Sequence, residues 1–131
     1  MATYCGFCRS NYFKVKDLGA FKEFCERFDL ELIQDEKESM VGFIVKEGGI
    51  PFRWDEETNE EIDFIAALSE QLAVGEVAIV HEIGYEKMRY LNAYGIAVNW
   101  KNESKDISFA ELYERAKTLA GKGHQVTPAE Y

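Results

Sequence analysis

At 131 residues, 47% hydrophobic and 30% charged with two prolines, the chain has the composition of a globular protein rather than a disordered segment. Its length fits a single domain over residues 1–131; no stretch approaches the ~20 consecutive apolar residues of a membrane span, and MATYCGFCRSNYFK lacks the basic start and apolar run of a secretory signal, so a cytoplasmic protein is expected. The net charge of −9 argues against direct nucleic-acid binding, which draws its affinity from Lys and Arg.

That charge is unevenly spread. Between Asp29 and Glu86 sixteen acids meet three bases (Lys37, Lys46, Arg53), a net of −13, while the flanks together carry +4. A segment of that sign predicts a protein partner with a basic surface, approached through an attraction that salt screens.

The chain opens on Cys5-Gly-Phe-Cys8. A CxxC pair is half of a structural zinc site or a redox pair. Zinc needs two further ligands, and Cys25, His81 and His124 each stand alone in the sequence, so Cys5 and Cys8 form an incomplete metal candidate. Redox chemistry places the pair at a helix start, whereas Ser10–Val15 reads as a strand with the cysteines ahead of it. Three cysteines, an odd number, do not make a disulfide framework.

Asp17 is placed to cap a helix carrying Leu18, Phe21, Phe24, Cys25 and Phe28 at helical spacing, and Cys25 on that stripe reads as a buried thiol. Leu30–Gln34 and Met40–Lys46 read as a hairpin around a polar turn. Gly48-Gly49 breaks it, and Ile50–Trp54 returns as an edge strand, where Pro51 is tolerated. Thr58-Asn-Glu-Glu61 has the form of a capping box and predicts a helix to about Leu72. Asp55, Glu56, Glu57, Glu60, Glu61 and Asp63 then form an acidic helix start, favoured by the macrodipole, and are the interaction candidate. Read as a calcium loop from Asp55 the stretch fails, with Glu60 at the glycine position and Ala66 where the bidentate Glu belongs.

Glu76–Ile83 is β-rich, with a turn expected at Gly84 and a long strand over Tyr85–Trp100. Alternation puts His81 on a face with Val77, Ile79 and Ile83, and turns Glu82 the other way. A lone histidine on an apolar strand face reads as a hydrogen-bonded core or edge residue, since catalysis needs a partner within hydrogen-bond reach. On the next strand Met88, Tyr90, Asn92, Tyr94, Ile96, Val98 and Trp100 share one face; Arg89, Leu91, Ala93, Gly95 and Ala97 share the other. Glu82 is a cross-strand partner for Arg89 in this reading. Trp54, His81, Arg89 and Tyr90 define the alternative function, a small-ligand or catalytic pocket. After a turn at Lys101–Ser104, Ser108-Phe-Ala-Glu111 is a second capping box, and Phe109, Leu112, Tyr113, Ala116, Leu119 and Ala120 stripe one helix face. His124–Tyr131 reads as an extended tail.

The order β-α-β-β-(β)-α-β-β-α with short connections predicts an α+β fold, one antiparallel sheet with helices on one face. The GxGxxG, GxxxxGK[ST] and GxSxG motifs do not occur, and no cofactor or catalytic residue is assigned.

Arg9-Ser-Asn-Tyr-Phe-Lys-Val-Lys-Asp17, Gly84-Tyr-Glu-Lys-Met-Arg-Tyr90 with Gly95-Ile-Ala-Val-Asn99, and Thr127-Pro-Ala-Glu-Tyr131 together resemble a family of small bacterial proteins found on plasmids, phages and other mobile elements. The resemblance implies a compact bacterial cytoplasmic protein with a mobile-element role, and it carries no catalytic residue across. The leading expectation is a non-enzymatic protein-binding or accessory module, an anti-defence factor in its most specific form. The alternatives are the pocket named above and a zinc protein using Cys5 and Cys8.

Overall fold

The computed structural model describes residues 4–37, 39–46, 48–51, 53–87 and 89–129, with Arg53 and Trp54 as backbone only. The elements run β1 (Cys5–Ser10), α1 (Leu18–Arg27), β2 (Leu30–Asp35), β3 (Met40–Val45), β4 (Arg53–Asp55), β5 (Glu60–Ile62), α2 (Phe64–Gln71), β6 (Val77–Glu86), β7 (Tyr90–Asn99), β8 (Ser104–Ser108) and α3 (Phe109–Lys117). Six strands form one sheet in the order β2-β3-β1-β6-β7-β8, every neighbouring pair antiparallel, and β4 and β5 form a separate ribbon. The fold is α+β, as the sequence predicts. No helix among the described residues is long and apolar enough to cross a membrane.

Aromatic packing fixes α1 and α2 over one face of the sheet. Phe64, the first residue of α2, has ring centroids 5.5 Å from Phe24, 5.0 Å from Phe28 and 5.7 Å from Phe43. It therefore joins both helices to β3, with edge-on and offset arrangements that suit ring quadrupoles. Phe13, Phe21, Leu68, Leu72, Ala78, Val80 and Val98 close the same core.

Several boundaries differ from the sequence reading, each for a local reason. The first strand is Cys5–Ser10, not Ser10–Val15, so CGFC lies within a central strand rather than ahead of one. At Ser10 the ladder is interrupted: the buried hydroxyl takes the Phe43 N–H at 2.9 Å and donates to the Asn11 carbonyl at 2.7 Å. Beyond it only isolated bridges remain, Phe13 to Val41 and Val15 to Leu72. The Thr58 capping box does not start a helix. Asp55 accepts the Glu57 N–H at 2.9 Å and Asn59 takes a left-handed φ of 57°, closing a hairpin turn between β4 and β5. Asp63 is the cap instead, its carboxylate accepting the Ala66 N–H at 3.1 Å.

The turn expected at Gly84 lies after Glu86, because β6 and β7 stay in register from Val77–Asn99 to Glu86–Tyr90. Met88 falls outside the described residues. β8 was not expected; its sequence SKDIS offers one large apolar residue, enough for an edge strand only. α3 keeps its predicted start, without a side-chain bond from Ser108, but ends at Lys117, short of Leu119 and Ala120.

The helix layer sets an expected stability contrast. Truncating the ring junction in Phe64→Ala should cost about 3–5 kcal/mol in a denaturant titration. The Ile83→Ala change, on the other side of the sheet, should stay within about 1 kcal/mol in dilute protein.

Candidate functional site

Because β6 and β7 pair without a bulge, side chains on each face can be followed across the sheet. Glu82, Tyr94 and Asn92 lie on the helix side, while His81, Ile83, Tyr85, Leu91 and Ala93 lie on the other. Each side carries one arrangement of interest.

On the helix side Glu82 is the hub of a polar cluster. Asn92 donates from Nδ2 to Glu82 Oε2 at 2.5 Å and to the Tyr4 hydroxyl at 3.1 Å, and the Tyr4 hydroxyl donates to the same carboxylate oxygen at 3.3 Å. The other oxygen, Oε1, accepts the Ile50 backbone N–H at 2.6 Å. Two glycines make room for this geometry. A Cβ on Gly49 would collide with the Glu82 carboxylate, and one on Gly84 with the Tyr4 phenol. Burial, with the Glu82 charge adding, raises the Tyr4 pKa against the lowering bond from Asn92, so the phenol remains a donor. With both oxygens engaged, this carboxylate fastens the loop at Ile50 to the sheet. Sequence reading offered it to Arg89; the structure gives it to Asn92, Tyr4 and Ile50.

The opposite face carries a broad apolar surface. β1 contributes Phe7, β6 Val77, Ile79, Ile83 and Tyr85, β7 Leu91 and β8 Ile107. Phe7 is 66% exposed, Ile83 59% and Ile107 67%, far from the usual fate of large apolar side chains on a strand. Phe7, Ile83, Tyr85, Leu91 and Ala93 run into Phe109 of α3, bounding a shallow groove of about 640 Å³. The charged side chains among β1, β6, β7 and β8 on this face are Arg9 and Lys105, both basic, while β2 brings Glu31 and Asp35 to the far edge. The His81 face reads as apolar from the sequence, and its exposure emerges only in the structure. The signal was present: β6 is apolar at both parities, which one helix layer cannot bury.

Of the predicted pocket, His81 and Tyr90 lie on opposite faces of the sheet. His81 lies on the open face beside Ile79, Gly95, Lys105 and Ile107, whereas Tyr90 lies on the helix side, its ring 6.4 Å from that of Tyr4. Arg89 sits in the β6–β7 turn, and the Trp54 side chain falls outside the described residues. Tyr90 instead borders a cavity of about 590 Å³ between β7, α3 and the tail, lined also by Leu112, Tyr113 and Val126. The acidic residues lie along the β4–β5 ribbon and its turn; Asp55 and Asp63 are engaged with backbone N–H groups, and Glu56, Glu57, Glu60 and Glu61 are exposed.

The CxxC pair cannot act as a unit. In an extended strand residues three apart are separated by about 10 Å and point to opposite faces, beyond the ~7 Å limit of a disulfide and beyond a shared tetrahedral ion. Cys5 is exposed and Cys8 buried. Burial, with the nearby Glu82 charge adding, pushes the Cys8 thiol up to about 12; burial alone pushes Cys25 to about 11. Both remain neutral and unreactive.

Three outcomes follow from this chemistry. A thiol reagent at neutral pH should modify Cys5 rapidly in dilute protein, and Cys8 and Cys25 only on unfolding. The two buried thiols ionise near pH 9 when unfolded but not when folded, so stability should be level below pH 9 and fall as pH rises toward 11, by up to ~1.4 kcal/mol per unit per thiol. Urea titrations from pH 8 to 11 check the slope. Glu82→Gln places an amide against the Ile50 or Asn92 donors and should lower stability by about 1–3 kcal/mol in the same assay.

No family model matches the chain, and no curated protein or solved structure does either. No residue's role comes to it from another protein.

Proposed function

We propose that the chain is a non-enzymatic protein-binding module that works through the open face of its sheet. The observation that carries this reading is the exposure of Phe7, Ile79, Ile83, Tyr85, Leu91 and Ile107, large apolar side chains drawn from four neighbouring strands on the face away from the core. Soluble chains rarely leave apolar patches beyond a few hundred Å² uncovered, and patches of that kind mark interaction sites. Burying such a face gains about 25 cal/mol per Å², whereas leaving it wet gains nothing. The basic Arg9, on central β1 beside His81, and Lys105, on edge strand β8, favour a partner surface that is apolar with acidic groups at matching positions.

A second surface is favoured by a separate observation. Glu56, Glu57, Glu60 and Glu61 stand exposed on the β4–β5 ribbon, outside the main sheet, and suit a partner with a basic surface. An accessory role on a mobile element rests on the motif resemblance alone.

A photo-crosslinking residue placed at position 83 should give discrete protein adducts in cells, and one at position 56 or 119 should not give the same adducts. A Tyr85→Glu change in the same chain should remove them. Equal adducts from all three positions, or none from position 83, would contradict docking on the open face. Adducts from position 56 that disappear at high salt would move the assignment to the acidic ribbon.

A further inference from the structure

We infer that the occupant of the open sheet face is a second copy of this chain, packed sheet to sheet about a two-fold axis running along the strands between β1 and β6. This deepens the docking reading and rests on it. Two features support a copy.

The first is the distribution of charge across the face. Register places Glu31, Ile44, Arg9, His81, Gly95 and Ile107 in one row across the six strands. Lys105 pairs with Ala97, which pairs with Ile79. The acids of this face, Glu31 and Asp35, lie on β2, and Lys105 lies on β8, the opposite edge strand; the other base, Arg9, lies on β1 beside the axis and faces the other copy's His81. A two-fold axis between β1 and β6 divides the order β2-β3-β1-β6-β7-β8 into equal halves. It lays each β2 over the other copy's β8 and brings Glu31 and Asp35 toward Lys105 twice. A self-complementary face is what a two-fold interface requires.

The second is extent. Six strands at about 4.8 Å spacing and about 25 Å of strand length cover on the order of 600 Å². Two such faces hide about 1,200 Å², the lower bound for a specific, stable interface, and sheets pack in this way at about 10 Å separation.

Cys5, the exposed thiol on this face, gives a direct readout, because the axis brings the two Cys5 residues to within about 12 Å across a sheet-to-sheet spacing. Sedimentation equilibrium of the full chain from 1 to 200 µM should show a shift from the 15.0 kDa chain mass toward twice that value. A short bismaleimide should link the associated chains through Cys5, and Cys5→Ser should abolish the link without changing the sedimentation. Glu31→Lys and Lys105→Glu should each weaken association about tenfold, and the double exchange should recover it to within about threefold. A chain that stays at 15.0 kDa throughout overturns the inference, as does a dimer that the bismaleimide does not link or whose double exchange is no tighter than the singles. If the chain stays single while Tyr85→Glu still removes adducts to another protein, the second copy is excluded and the docking face stands.

Discussion

Strand alternation is the constraint on which the rest of this molecule depends. β6 sends Ala78 and Val80 to one side and Val77, Ile79, Ile83 and Tyr85 to the other, so the central part of the sheet is apolar on both faces. α1 and α2 pack over only one of them. The ring contacts of Phe64 with Phe24, Phe28 and Phe43 hold α1 and α2 over the face carrying Val80, and with that settled the opposite face keeps Phe7, Ile83 and Ile107 exposed, with Phe109 of α3 at the border of its groove. The apolar surface is thus a consequence of how the core is built, since a one-residue shift of register would exchange the two faces.

The Glu82 cluster shows how that choice of face is reinforced. Glu82 turns to the helix side of the same strand, where Tyr4, Asn92 and the Ile50 N–H satisfy it. A register slip would move this carboxylate onto the apolar surface and strand its donors, a cost on top of lost packing. Gly49 and Gly84 leave the space that the carboxylate and the Tyr4 ring occupy. Cys8 adds to the same effect as a neutral, buried thiol one position from the open side of β1.

Much of this was legible in the sequence where the signal was periodic and local. The Asp17 cap and the Phe21, Phe24, Cys25 stripe gave α1, and the turn between Gln34 and Met40 gave the β2–β3 hairpin. The α+β class followed from short connections between β-rich runs. Where two local signals competed, reading failed: Thr58 and Glu61 imitate a capping box, yet Asp55 and Asn59 close a turn first. β1 was misplaced because Gly6 and two cysteines do not look like a central strand, although a buried cysteine packs as a small hydrophobe. The grouping of Trp54, His81, Arg89 and Tyr90 fails for a different reason: alternation already separates adjacent residues such as Arg89 and Tyr90, and His81 shares a face with the odd-numbered residues of β7 whether the turn lies at Gly84 or after Glu86.

These observations describe a protein whose sheet packs against α1 and α2 on one side and exposes large apolar side chains on the other. Nuclear Overhauser contacts in isotopically labelled protein test this directly, because they report which helix side chains each strand methyl touches. The account predicts contacts from the Phe64 ring to Phe24, Phe28 and Phe43, and none from the Ile79 or Ile83 methyls to α1 or α2. Contacts between the Ile83 methyls and either helix would contradict it, because they would place the apolar face inside the core.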